Sequence, residues 1–387
     1  MASAASDPVI LVAGEASGDA LGAGLIEALL RRRPEMRFAG IGGPKMAAAG
    51  MDIWFDCEEL AVMGLSEVVS HLPRLLKIRR ETARRTIQSE APLLIGIDAP
   101  DFNLGLERRV RGRGVRTIHY VSPSIWAWRQ GRARTIGECA ELVLALFPFE
   151  PELYRRYGAT ARFVGHPLAD RIPLEADRDE ARAALGLPAS HRVVALLPGS
   201  RRSEVNRLAA TLATTAQRLA KREPDLCFVV PAANARVRAL IDAAFAKIPD
   251  LMVRMFDGQS ETVLTAADVA VIASGTATLE GLLTRTPMVV VYRVSTLTYW
   301  LVKLFRLMKV ERYSLPNYLA GEGLVDELMQ ADLTTENLTG AVQRLLGDEE
   351  RRRSMRQRFR EIHELLRCDA DEQAADAVLA LLERTGP

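Results

Sequence analysis

The 387-residue chain has no apolar run long enough to cross a bilayer. Its first residues lack the basic region, apolar core and small-residue cleavage site of an export signal, so a cytoplasmic setting is expected. Cysteine is scarce: Cys57, Cys139, Cys227 and Cys368 stand far apart, without metal-ligand spacing, as reduced and buried thiols do. Lysine is scarcer still against arginine, 6 to 45, which reads as coding bias. A net charge of +2 gives no support to bulk nucleic-acid binding. Internal repeats and low-complexity tracts are missing. So is the Gly-x-Gly pair of a dinucleotide fingerprint, which argues against a NAD site in the loop Gly14-Glu15-Ala16-Ser17-Gly18-Asp19. The Asp-x-Asp at Asp369-Ala370-Asp371 falls in a charged C-terminal stretch and reads as a solvated face. Neither a metal nor a cofactor is expected.

What is present is alternation. With 48% hydrophobic residues, a chain of this length suits two domains, each with its own core. Strand candidates at Val9 to Ala13, Leu93 to Ile97, Val115 to Val121 and Leu142 to Leu146 are separated by helical patterns. Turn residues in Phe163-Val164-Gly165-His166-Pro167-Leu168 interrupt the pattern. The alternation restarts with Val193 to Leu197, Phe228 to Val230, Met252 to Phe256, Asp268 to Ala273 and Met288 to Tyr292. The fold class is therefore α/β, with two Rossmann-like doubly wound domains facing a cleft. The first spans 1–168 and the second 169–344, and helices over 345–387 pack back on the first. Residues before Pro8 read as an unstructured extension.

The chemistry-bearing stretches follow strands. Asp268 to Ala273 runs into Ser274-Gly275-Thr276-Ala277-Thr278-Leu279-Glu280, small residues that open a helix and direct backbone N–H groups at whatever sits in the turn. Glu280 lies one turn beyond Thr276 on the same face, within reach of sugar hydroxyls. A nucleoside diphosphate fits such a seat, and so does an ordinary capped junction. Pro198-Gly199-Ser200-Arg201 follows the first strand of the second domain, where glycine admits phosphate and arginine neutralises it. Two such sites at one carboxyl edge favour the ligand reading. In the first domain Asp98 and Asp101 follow Ile97 beside Pro100, so Asp98 is a candidate general base and Asp101 the better helix cap.

These stretches, together with Tyr120-Val121-Ser122-Pro123-Ser124-Ile125-Trp126-Ala127-Trp128, the Gly165-His166-Pro167 turn and Ser314-Leu315-Pro316-Asn317, stand in the order found in lipid-A-disaccharide synthases. The chain resembles that family over nearly its whole length. The resemblance implies an inverting glycosyltransferase of the GT-B fold that moves 2,3-diacylglucosamine from UDP-diacylglucosamine to diacylglucosamine 1-phosphate. A β-1,6 bond forms and UDP is released, without a metal or cofactor, at the inner face of the inner membrane. It implies Asp98 as base, with Glu15 as the alternative. It also places Arg201 at the leaving diphosphate, and Ser17, Asn103, Ser200, Ser274, Gly275, Thr276, Glu280 and Asn317 as substrate-binding residues.

Two amphipathic stretches suit a lipid substrate. Leu65, Val68, Val69, Leu72, Leu75 and Leu76 form a stripe beside Arg74, Lys77, Arg79 and Arg80; between 297 and 310, Trp300, Leu301, Leu304 and Phe305 accompany Lys303, Arg306 and Lys309. Either can lie on a membrane surface or pack on its own domain, and the second can also join two protomers of a homodimer. Rival readings are another UDP-sugar enzyme, such as an undecaprenyl-linked N-acetylglucosamine transferase or a 2-epimerase, and a non-catalytic UDP-sugar-binding protein. The first would differ around Asp98 to Asn103 and Ser122 to Trp128; the second has no use for Asp98.

Overall fold

The computed structural model describes residues 7–60, 65–123, 125–128, 130–248, 251–294 and 312–384. They form two compact units, Met1–Asp170 with Leu366–Pro387, and Arg171–Leu365. The stretch 297–310, expected to meet membrane or a second protomer, lies outside the described residues.

The first unit is built on seven parallel strands: β1 (Val9–Ala13), β2 (Phe38–Gly42), β3 (Asp52–Asp56), β4 (Leu93–Ile97), β5 (Arg116–Tyr120), β6 (Leu142–Ala145) and β7 (Ala161–Phe163). Their order across the sheet is β3-β2-β1-β4-β5-β6-β7. The central strands β1 and β4 are buried at every position, which is why they read as continuous apolar runs rather than alternating ones. Three strands carry weaker signals. β2 is Phe-Ala-Gly-Ile-Gly, with Gly40 at φ +140 and a would-be Cβ 2.1 Å from the Leu11 carbonyl oxygen, so only glycine fits there. β3 is the half-exposed edge strand Asp-Ile-Trp-Phe-Asp, and β7 has three residues.

The second unit holds β8 (Arg192–Leu197), β9 (Leu226–Ala232), β10 (Val253–Asp257), β11 (Val269–Ala273), β12 (Met288–Tyr292) and β13 (Asp326–Met329), all parallel, in the order β10-β9-β8-β11-β12-β13. Both sheets are thus doubly wound. Strand order reverses between β1 and β4 in the first and between β8 and β11 in the second. Ligands of open α/β sheets bind at the carboxyl ends of the strands flanking such a reversal.

The C-terminal stretch divides differently from the expected packing of 345–387 on the first domain. Helix Glu349–Leu366 lies with the second unit up to Leu365: Arg351 pairs with Asp326 on β13 at 2.8 Å and Arg352 donates to the Leu345 carbonyl at 2.6 Å. Only the last helix, Ala370–Glu383, joins the first unit. It packs on helix Ala16–Arg32 through buried Ala374, Ala377, Val378 and Leu381, with Arg32 pairing to Glu372 and Asp376 at 2.9 and 2.8 Å. Such exposed pairs contribute up to about 1 kcal/mol each, so apolar burial carries the docking. The Asp170 carboxylate caps the helix, accepting from the backbone N–H groups of Asp369 and Ala370 at 3.0 and 2.7 Å. Asp371 is therefore no solvated residue: it packs against Gly24, and burial followed by the charge of Asp170 pushes its carboxyl up to about 6.

Candidate active site

At the carboxyl edge of the first sheet, β1 ends in Gly14 and Glu15, and Glu15 is the N-cap residue of helix Ala16–Arg32. The Glu15 carboxylate makes no cap bond and instead accepts from the Ser17 hydroxyl, both side chains being exposed. Gly14 lets this loop approach the one after β4, since a Cβ there would stand 2.3 Å from the Ala99 Cβ. Asp19, in the same motif, is buried and structural. Its carboxylate caps helix Pro44–Ala48 by accepting from Gly43, Lys45 and Met46 N–H groups at 2.7, 3.0 and 3.0 Å.

The loop after β4 is strained. Asp98 and Ala99 sit at φ 50 and 42, and Val121, at the same edge after β5, at φ 78. Left-handed backbone is uncommon outside glycine and unusual for a β-branched residue, and each such residue costs on the order of 1–3 kcal/mol. Asp98 is held in place by its N–H, which donates to the Tyr120 carbonyl at 2.8 Å, and by its own carbonyl, which accepts from the Asn103 amide at 2.8 Å. Its half-buried carboxyl is raised above the usual aspartate range, first by burial and then by the negative charge of Glu15. Asp101 does not cap the helix Pro100–Arg111; Ala99 holds that position, and the exposed Asp101 pairs with Arg132 at 2.8 Å.

Asn103 lies beneath these loops. It is fully buried, and its amide N–H group also faces the carbonyls of Val12 and Ile97 at 3.2 and 3.3 Å. Through Nδ2 it ties the ends of β1 and β4 together, while its Oδ1 has no protein partner. The reason is helical geometry: Asn103 follows Pro100 by three residues and points back onto the strand ends that the helix covers.

In the second unit, Gly199, at φ +109, turns the chain from β8 into helix Arg202–Arg222; a Cβ there would stand 2.4 Å from Glu204 Oε2. Ser200 and Arg201 follow, exposed. The Arg201 guanidinium, 75% exposed, lies 3.4 Å from Glu204, a weak surface pair from which it can turn to an anion. The neighbouring loop after β11 leads through Ser274 and Gly275 into helix Thr276–Leu283, whose N-terminus no side chain caps. Glu280, one turn along, accepts from the Ser260 hydroxyl at 2.7 Å. Ser200, Arg201, Ser274, Gly275, Thr276 and Glu280 thus gather at the β8/β11 reversal, where uncapped N–H groups and a guanidinium favour a polyanion.

Asn317 sits at the start of helix Leu315–Ala320. It is nearly fully buried, and its amide is spent on Val325 N–H, Val325 carbonyl and Glu327 at 2.8, 2.9 and 2.7 Å. Glu327, from β13, also accepts from the Ser314 N–H and hydroxyl at 2.9 and 2.7 Å. Asn317 therefore locks helix Leu315–Ala320 onto the β13 edge.

Several buried polar residues escaped the sequence reading. Glu150 is raised to about 8 by burial, although the Phe147 N–H donates to it at 3.0 Å. Ser122 and Tyr154 hydroxyls share a hydrogen bond of 3.0 Å, and His166 is lowered to about 4 by burial. Glu107 and His119 face each other at 2.7 Å with no exposure at all. Ser122 and His166 lay in motifs quoted beforehand, and His119 in the strand candidate Val115 to Val121. Among the described residues no cluster of His, Cys, Asp and Glu has the makings of a metal site.

A family model described as Lipid-A-disaccharide synthetase matches residues 9–378. The chain belongs to the lipid-A-disaccharide synthase family. Similar members include the lipid-A-disaccharide synthase of Alkalilimnicola ehrlichii, 53% identical over 96% of this chain and 98% of that one. That of Xanthomonas campestris pv. campestris (strain 8004) is 51% identical over 97% and 86%. This synthase is accordingly a glycosyltransferase. Its fold is GT-B: solved structures similar to it include the calicheamicin glycosyltransferase CalG4, with a TM-score of 0.59 at 14% identity over 99% of this chain and 100% of that one. The Neisseria meningitidis UDP-GlcNAc 2-epimerase bound to UDP-GlcNAc gives 0.64 at 11% over 97% and 99%. At such identities the likeness concerns the fold, while the family separates the synthase from the epimerases.

Proposed function

We propose that the synthase joins 2,3-diacylglucosamine from its UDP derivative to 2,3-diacylglucosamine 1-phosphate by a single inverting displacement, with Asp98 as general base. Asp98 takes the proton of the acceptor hydroxyl as that oxygen bonds to the anomeric carbon. The bond from that carbon to the diphosphate breaks on the opposite side, and UDP leaves with the electron pair. Arg201 and the helix N-terminus at Thr276 stabilise the charge that builds on the diphosphate, while Ser200, Ser274 and Gly275 line its seat and Glu280 accepts from the sugar hydroxyls. The observation that carries this reading is the strained, half-buried Asp98 at the β1/β4 reversal, its carboxyl raised above the usual aspartate range by burial and by Glu15. Glu15, beside it, is the alternative base, and Ser17, bonded to Glu15, orients that carboxylate.

A peripheral attachment to an anionic membrane surface completes the proposal. Among the described residues no helix is long and apolar enough to cross a membrane, yet both substrates are acylated. Helix Leu65–Gln88 carries Leu72, about half exposed, together with the exposed Arg74, Lys77 and Arg80.

The test is UDP release from UDP-diacylglucosamine, with and without the acceptor phosphate. Asp98→Asn keeps the shape and loses the base, so UDP binds as in the parent while transfer falls about 100-fold or more. If Asp98→Asn turns over normally and Glu15→Gln does not, Glu15 is the base.

A further inference from the structure

We propose that Glu107 and His119 are a positioning pair for the transfer reaction, holding the Asp98 loop in its left-handed form and placing positive charge behind its carboxylate. The proposal rests on Asp98 being the base.

Helix Pro100–Arg111 presents Asn103 and Glu107, four residues apart and both fully buried, to the strands beneath it. Gly96 makes room for them: a Cβ on Gly96 would stand 2.2 Å from Glu107 Oε1 and 2.9 Å from the Asn103 Cβ. Gly96 registers with His119 across the β4–β5 ladder, and there the Glu107 carboxylate meets His119 Nδ1 at 2.7 Å. Each member is tied by the backbone to a group that clamps Asp98. His119 precedes Tyr120, whose carbonyl receives the Asp98 N–H, and Glu107 follows by one turn the Asn103 amide that donates to the Asp98 carbonyl.

A buried ionic pair is poor value as a stabilising device, because desolvation offsets its attraction. This one has no exposure at all, with Glu107 Oε2 and His119 Nε2 unpartnered by protein. What it does supply is charge. The positive charge of His119 acts on Asp98 against the effects of burial and of Glu15. The other ionisable groups facing the pair are Tyr154 and Cys139, which feel the charge of Glu107, with Glu150 beside Tyr154 and Arg108 beside Cys139. None of these is linked to Asp98.

Glu107→Gln and His119→Asn test the pair through the pH dependence of transfer. His119→Asn removes the charge that acts on Asp98, and Glu107→Gln removes the carboxylate that holds the His119 ring in place. The acid limb of the kcat profile then moves toward higher pH by about one unit, the usual effect of losing a near opposite charge. Turnover on the acid side falls accordingly, and UDP affinity stays parental. The double variant leaves no unpaired buried charge and provides the same readout should a single variant fail to fold. A profile scaled down at every pH with its acid limb unmoved overturns the proposal, because a merely structural pair would behave that way. Asp98→Asn, measured alongside, separates the two claims. Parental turnover there removes Asp98 as base and this proposal with it; a loss there with an unmoved limb in Glu107→Gln overturns the pair alone.

Discussion

Asp98, Asn103 and Arg201 show how differently three polar side chains at strand ends are used. The raised carboxyl of Asp98 must be ionised to accept a proton, so transfer is expected to fall on the acid side at a pH above that of an ordinary aspartate. A kcat profile checks this, and an acid limb near 4 would contradict it. Asn103→Ala leaves the carbonyls of Val12, Ile97 and Asp98 without their donor. The expected cost is about 1–3 kcal/mol in urea denaturation together with reduced transfer, while UDP affinity is unchanged because the loops proposed to hold UDP belong to the other unit. A substrate ligand would instead raise KM with stability intact. Arg201→Ala removes an exposed guanidinium with little structural role, so it should fold normally and lose at least about tenfold in turnover.

The helix Pro100–Arg111 and the helix of Glu150, Glu150–Arg156, carry the polar burden at the level of elements. Packing the former this close depends on Gly96, whose replacement by alanine drives a Cβ into Glu107. Gly96→Ala should destabilise by about 1–3 kcal/mol in denaturant titration and lower transfer as the Asp98 loop shifts. The latter begins with a carboxyl that stays protonated up to about pH 8, against an ordinary value of 4.5. The unfolded chain loses that proton first. Stability from this group is therefore complete below about pH 4.5 and is lost as pH rises through about 8. Glu150→Gln, which still accepts from the Phe147 N–H, should flatten the pH dependence of the thermal midpoint over that window.

The whole molecule places its two sets of chemical groups on separate doubly wound sheets, each at its own reversal of strand order. Diphosphate charge has Arg201 and an uncapped helix N-terminus to meet it, so transfer is expected to survive EDTA; loss that magnesium restores would show a metal requirement. Attachment through the helix Leu65–Gln88 predicts co-sedimentation with vesicles containing anionic lipid, weakened by salt and by Leu72→Glu. Binding indifferent to both would place the membrane contact elsewhere.

The central strands were legible in the chain alone because they are buried on both faces and so are written as apolar runs: β1, β4, β8, β11 and β12 needed no partner to be recognised. The loops after them were legible too, since glycine, serine, arginine and aspartate at strand ends carry their chemistry locally, and the order of those loops pointed to the family. The edge strands β3 and β13 were not, because half-exposed residues such as Asp-Glu-Leu-Met owe their pairing to neighbours and not to their own pattern. Nor was the boundary near Leu366, where a continuous run of charged residues changes units. Only the tertiary structure decided which polar residues face outward. The amides of Asn103 and Asn317 found their partners on β1, β4 and β13 only in the folded chain, and His119 meets Glu107 only once β5 lies under the helix. A side chain's composition is local, but its partner is set by packing.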